Sequence, residues 1–543
     1  MRSFALSSAL AALLLSRQTS ALPQKRDYTQ AIQTADDIAA AASAYAESFV
    51  DSGMVPRSPK ITKRQTITRR NYHTTFTATN VVWVTAFLEN TETGLVIIPG
   101  SEVETPASVT PPPVAATPTQ APEIPSTSVP APVISIATTS LPAATPAASP
   151  TPSPSFLRGV NLGGWLVLEK WMNWDAFAGD FSSATDEWTF SQLPGAVDTL
   201  KSHWETFFTE ADIQAIAATG INALRIPIGF WAYDNENTPY IKGADVYLER
   251  AITWARNAGM KVWVDCHASP GSQNGFIDSG HAGDVQWQNS ANLERSILVL
   301  KTMAAKYGSL EYADVVVGLE LINEPISWGA NELSITKSWA QNAYEAVKSV
   351  IMNPDLKIVM HDAFEGALAW TDVAGALGDK SFAMDSHMYQ LFVDADNTLT
   401  QAQHITKACS WASGLSAANS IMPTFVGEWS AATNICVNPD GSTTPGTSCS
   451  VDGCQCQIED FGSWSGLMIE QVRRFVEAQL DVFESSTSGY FMWSAKGPGG
   501  WGFLNGIRNG AIPNPVTSRR YPGQCGSTKR STRGNLGFVP EAF

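Results

Sequence analysis

From Phe156 onward, short apolar runs alternate with longer stretches in which apolar residues recur at helical spacing. The apolar runs end near Asn161, Pro227, His267, Glu324, Asp362, Tyr389, Glu428 and Trp493. Runs such as Val315 to Ile322 and Pro423 to Val426 are too short for buried helices and rich in Val, Ile and Leu, so they predict parallel strands covered on both faces. Between the runs, residues 206–218 (TFFTEADIQAIAA) and 247–258 (YLERAITWARNA) carry a helical pattern that stops at Gly220 and Gly259, and 465–483 predicts a later helix. Strands alternating with helices in this way predict an α/β fold, a (β/α)8 barrel occupying residues 156–543.

The first 155 residues follow other patterns. Residues 1–21 have the layout of a secretory signal peptide: Arg2, the apolar AALLL, then Ser20-Ala21 before Leu22-Pro23. Residues 22–100 form an N-terminal segment, a candidate propeptide or small hairpin, with dibasic pairs at Lys25-Arg26 and Lys63-Arg64. Within it, 71–98 alternates enough to suggest the hairpin. Residues 101–155 are almost all Pro, Thr, Ser, Ala and Val, a Ser/Thr/Pro-rich linker that buries too little apolar surface to fold and whose hydroxyls suit O-glycosylation. No Asn-x-Ser/Thr acceptor occurs. No other run is long enough to span a bilayer, and the C-terminal RGNLGFVPEAF lacks a lipid-anchor tail, so the expectation is a secreted, extracellular or wall-associated protein.

A net charge of −16 argues against nucleic acid or anionic membrane as partner and suits a neutral substrate. Of the seven cysteines, Cys266 lies inside a predicted strand as a buried thiol. The other six, Cys409, Cys436, Cys449, Cys454, Cys456 and Cys525, predict three disulfides whose pairing stays open. Several fall in a Cys-rich insert at 436–456, where a metal site is the alternative, but no His lies nearby.

Two of the strand-like runs stop at a carboxylate: GLELINEP at Glu324 and PTFVGEW at Glu428. An ionised Glu buried there needs a partner or a task. Retaining glycoside hydrolysis needs two carboxyl groups roughly 5 Å apart, one protonated to serve the leaving oxygen and one ionised to attack the anomeric carbon. Strand ends of a barrel can supply that spacing. Arg225, His267, Asn323, His387, Tyr389 and Trp493 fall at the same level. Taken singly each suits packing, but together with two glutamates they predict a site. Arg225 and the Tyr389 hydroxyl are expected to lower the pKa of Glu428. Asn323 and His267 are candidates for sugar hydroxyls, and Trp493 for an apolar floor.

RGVNLGGWLVLEKW, INALRIPIGFWAY, HASPGSQNGFIDSG, LELINEP, HMYQLF, VGEWSAA and a late WGF together resemble the fungal exo-β-1,3-glucanases of glycoside hydrolase family 5, over about residues 156–525. The resemblance implies a retaining mechanism, a β-glucan polysaccharide as partner, and no metal or organic cofactor; a monomer is the expected state. It makes Glu324 the acid/base and Glu428 the nucleophile. It also places Glu169, Arg225, His267, Asn274, Asn323, His387, Tyr389 and Trp493 around the terminal glucose, with Phe276 and Phe392 as an aromatic pair at the entrance. After QNGF this chain reads Ile277-Asp278 where the family favours Asp-Asn, which would make position 278 an acceptor-only group. The nearest alternative is an endo-acting or β-1,6-directed glucanase of the same fold; a non-catalytic wall glucan-binding protein is more remote. A metallohydrolase lacks its HExxH spacing.

Overall fold

The computed structural model describes residues 60–71, 74–88, 91–97, 156–458 and 461–526. The expected signal peptide, Lys25-Arg26, the Ser/Thr/Pro-rich linker and the RGNLGFVPEAF tail lie outside the described residues. The chain divides into two units. In the first, Lys60–Asn71, Thr74–Leu88 and Thr91–Ile97 form a three-stranded antiparallel sheet in chain order. The expected hairpin at 71–98 is therefore the later part of a larger sheet. Its first strand, KITKRQTITRRN, lacks clean apolar alternation, and backbone pairing decides it instead.

The second unit contains a closed barrel of eight parallel strands: β1 (Leu157–Asn161), β2 (Ala223–Gly229), β3 (Lys261–Ala268), β4 (Val316–Glu320), β5 (Lys357–His361), β6 (Phe382–Met388), β7 (Thr424–Trp429) and β8 (Gly489–Met492). Neighbours in sequence are neighbours in space, and β8 pairs with β1 to close the ring. Every residue of β2, β3 and β7 is buried, as parallel strands with helices outside and packing inside require.

Several boundaries differ from the sequence reading. The helical stretch expected at 206–218 starts later: α1 (Ala196–Thr206) ends where it was to begin, and α2 is Glu210–Ala217. Thr209 separates them because its side chain caps Asp212 while the Asp212 carboxylate accepts from the Thr209 N–H, a reciprocal pair that starts a new helix. The next helix, α3, runs over Ala244–Asn257, and the late one, α4, is Gly466–Ser486 with Ser465 as its cap. β4 stops at Glu320, so Glu324 lies on the turn beyond it, whereas Glu428 lies inside β7.

The end of the barrel where the strands begin is filled by apolar side chains. Trp263 meets Phe425 and Phe491 edge-on at ring distances of 5.1 and 5.0 Å, with Leu157, Ala223, Val359 and Ala383 around them. Gly159 makes this possible, since a Cβ there would sit 2.0 Å from the Phe491 ring. Such contact at crystal-like density is what makes the barrel a packed core.

Three disulfides form: Cys409–Cys525, Cys436–Cys456 and Cys449–Cys454, with Cys266 buried and free. The insert after β7 is a small antiparallel sheet of Ile435–Val437 with Thr443–Pro445 and Gln455–Cys456. Among the described residues no helix is long and apolar enough to cross a membrane.

Candidate active site

Arg225 sits at the centre, fully buried on β2. Its Nε donates to Glu320 Oε2 at 2.8 Å. Its Nη1 donates to Asn161 Oδ1 at 2.9 Å and to Glu428 Oε1 at 3.0 Å. Its Nη2 donates to Asn323 Oδ1 at 2.8 Å and lies 3.1 Å from Asp265 Oδ2. Burial alone would disfavour the guanidinium charge, but Asp265, Glu320, Glu428 and Asp385 more than offset it and raise the pKa of Arg225 further. The rigid fork thereby ties five strands or their ends to one point.

Glu428 receives the Tyr389 hydroxyl on Oε2 at 2.9 Å as well as the Arg225 contact. Burial raises its pKa; His387 and Arg225 pull it back. The net direction is upward, so the expectation that Arg225 and Tyr389 leave Glu428 lowered is corrected: desolvation of a carboxylate inside the barrel outweighs them.

Glu324 occupies left-handed backbone space, with φ of 45°. That conformation costs a non-glycine residue about 1–3 kcal/mol and is retained where the surroundings impose it, commonly at functional sites. His387 Nδ1 lies 2.6 Å from Glu324 Oε1 and 3.4 Å from Glu428 Oε2. The two oxygens sharing that nitrogen are therefore within about 6 Å of each other, compatible with the roughly 5 Å spacing of retaining enzymes and short of the wider inverting range.

His267 pairs with Asp265 through Nδ1 at 2.6 Å, and its ring stacks on Trp493 at 5.4 Å with an 8° tilt. Burial would lower the pKa of His267, but the Asp265 charge raises it overall. Glu169, on the turn after β1, accepts from Trp171 Nε1 at 2.8 Å on Oε2. Among the described residues its Oε1 is buried without a hydrogen-bond partner, and burial pushes its carboxyl up to about 8.

Asp278 Oδ2 accepts from Asn274 Nδ2 at 3.1 Å and Asn323 Nδ2 at 3.2 Å. Burial, then the Glu324 charge, push Asp278 up to about 7. Both contacts use position 278 as an acceptor, and at a pH below about 7 its carboxyl also holds a proton.

Phe276 and Phe392 are 42% and 70% exposed on the turns after β3 and β6. Among the described residues Phe276 stacks on no other ring, whereas Phe392 packs on Tyr389 at 5.3 Å and on Trp501 at 6.1 Å.

Sequence reading missed Asp265, Glu320, Asp385, Asn161 and His361. The signal was present: 265 and 267, or 385 and 387, share one face of a strand by period-two alternation, so a polar residue two before a candidate also points inward. A closed parallel barrel whose rim holds two carboxylates joined through one imidazole has the arrangement that hydrolases of the paired-carboxylate class require.

Comparison with known proteins narrows the class. Residues 184–444 match the cellulase model of glycosyl hydrolase family 5. Over 386 residues the chain is 37% identical to a probable glucan 1,3-beta-glucosidase A of Aspergillus clavatus, covering 68% of this chain and 90% of the relative. It is 36% identical over 385 residues to glucan 1,3-beta-glucosidase 1 of Schizosaccharomyces pombe, covering 68% and 91%. The chain belongs to glycosyl hydrolase family 5 and is a glycosidase. The crystal structure of rutinosidase from Aspergillus niger shares the fold, with a TM-score of 0.51 at 23% identity over 63% of this chain and 90% of that one.

Proposed function

We propose that the protein is a retaining exo-β-1,3-glucanase that releases glucose from the non-reducing ends of β-1,3-glucan. The observation that carries this reading is His387 touching both Glu324 and Glu428 at the mouth of the barrel. The names of the relatives supply the substrate class.

In the first step the Glu428 carboxylate attacks the anomeric carbon, the glycosidic C–O bond breaks, and the Glu324 proton passes to the departing oxygen. In the second, Glu324 takes a proton from water, the water oxygen attacks the anomeric carbon, and the ester to Glu428 breaks. Both carboxyl groups return to their starting states. Arg225 and Tyr389 hold the two oxygens of Glu428, which fixes its direction of attack. Asn323, positioned by Arg225 and Asp278, faces the sugar 2-hydroxyl. Glu169, His267 and Asn274 bind further hydroxyls, Trp493 underlies the ring, and Phe276 with Phe392 lines the entrance. The leader-like N-terminus supports secretion to the cell wall or medium, and the enzyme acts there as a monomer without cofactor.

A time course on linear β-1,3-glucan and on β-1,6-glucan, with products resolved by size and anomeric form, tests the reading. Early β-glucose from the β-1,3 polymer is expected; early oligosaccharides, or activity confined to the β-1,6 polymer, would overturn it. Glu428→Ala should lose at least about 10⁴-fold in kcat, with azide restoring turnover and inverting the product. Full activity in that variant would remove Glu428 from the role.

A further inference from the structure

Asp385 lies on β6 two residues before His387 and is completely buried. Its Oδ1 accepts the Gly427 N–H at 2.5 Å. Its Oδ2 lies 3.4 Å from His387 Nε2 and 3.8 Å from Arg225 Nε. Gly427 is where the pairing of β7 with β6 slips, for Val426 is opposite Ser386 and Glu428 is opposite His387. One extra residue on one strand is a bulge, and bulges beside active sites re-aim the next side chain, here Glu428. A Cβ on Gly427 would fall 1.8 Å from Asp385 Oδ2, so only glycine leaves the carboxylate its place. One buried carboxylate therefore accepts from the backbone that aims Glu428 and lies within ion-pair distance of the outer nitrogen of the imidazole whose inner nitrogen approaches both glutamates.

We propose that Asp385 is a positioning residue for the paired-glutamate reaction: it locks the Gly427 bulge and keeps the His387 ring cationic, so that Nδ1–H serves whichever glutamate carries the negative charge. The proposal rests on the reading of Glu324 and Glu428 given above. In that reaction the charge leaves Glu428 when its ester forms and appears on Glu324 as the proton departs, so a cation between the two compensates both states. His387 faces Glu320 and Glu324 from β4 and the turn after it, and Glu428 from β7. From β5 it meets neutral His361, whose ring is 4.3 Å away, and Asp362; Asp265 adds a charge from β3, and Arg225 reaches the cluster from β2 through Asp385. Burial would strip the His387 proton, but Glu428, Asp385 and Glu324 outweigh it and hold the pKa well above the usual imidazole value.

Asp385→Asn keeps an oxygen for Gly427 and removes the charge. In the full chain it should lower kcat about 100-fold while KM changes by less than about threefold. His387 should then lose its proton at lower pH, moving the alkaline limb of kcat/KM toward acid. Because Asp385 acts through His387, Asp385→Asn combined with His387→Gln should lose little more than His387→Gln alone. An unmoved alkaline limb, or losses that multiply in the double variant, would overturn the proposal and leave Asp385 a framework residue. If Asp385→Asn melts below the assay temperature, Asp385→Glu carries the test: it should lower kcat with the alkaline limb kept near its wild-type position, and a limb moved to acid there would count against the role. Failure of azide rescue in Glu428→Ala would remove the nucleophile reading while leaving the pH-limb result to judge Asp385 separately.

Discussion

The two ends of the barrel interior are built from the same strands and differ in almost every physical respect. At one end Trp263, Phe425 and Phe491 fill the lumen with rings and need no specific partner. Two residues further along the same strands, Asp265 and Gly427, with Arg225, Glu320 and Asp385, form a buried charged layer in which most groups depend on a particular neighbour. The apolar end stabilises the fold by area removed from water. The charged end costs desolvation that its ion pairs offset at best in part, and what it supplies is geometry at the rim.

Four changes would break or sharpen that contrast. Trp263→Ala should cost about 3–5 kcal/mol of stability, measured by denaturant unfolding, while kcat per folded molecule stays near wild type. A large loss of kcat without unfolding would mean the apolar end also shapes the site. Gly427→Ala forces a Cβ against Asp385 and displaces Glu428, so kcat should drop about 100-fold; an unaltered kcat would show that the bulge does not aim the nucleophile.

Glu169→Gln probes the cost of charge burial. The carboxyl ionises near 4.5 when unfolded and about 8 when folded. Between those values the folded chain holds a proton that the unfolded chain has released, so stability is full below the lower value and falls as pH rises through the upper one. The amide variant should be more stable than wild type at pH 8, by up to about 4 kcal/mol, and equal it near pH 4. A constant difference across pH would exclude this origin. Phe392→Ala, at an exposed ring, should change stability by no more than about 0.5 kcal/mol and raise KM for glucan oligomers about tenfold; an unchanged KM would take Phe392 out of the substrate path.

Glu324, Glu428 and Arg225 could be found from the chain because each is a charged residue at the end of an apolar run or, for Arg225, within one, an arrangement that burial makes costly without a reason. Alternation marks Asp385 as inward-facing, but its contact with β7, like that of Glu320 with β2, joins residues far apart in sequence and could not be read from the chain. The net upward pKa of Glu428 was hidden for the same reason: residue types name the cations beside it, but only burial sets how strongly charge is penalised.

Alternation of apolar runs with helical patterns was enough to specify a barrel, since each strand and helix declares its buried faces through local spacing. Cysteine count was enough for three disulfides, but not for Cys409 reaching Cys525. The tertiary structure decided what depends on residues distant in sequence meeting: the turn that sets Glu324 at positive φ, the bulge at Gly427, and the single imidazole shared by two glutamates. Local pattern encodes which face is buried. Distances of a few ångströms between strands are set only when the ring closes.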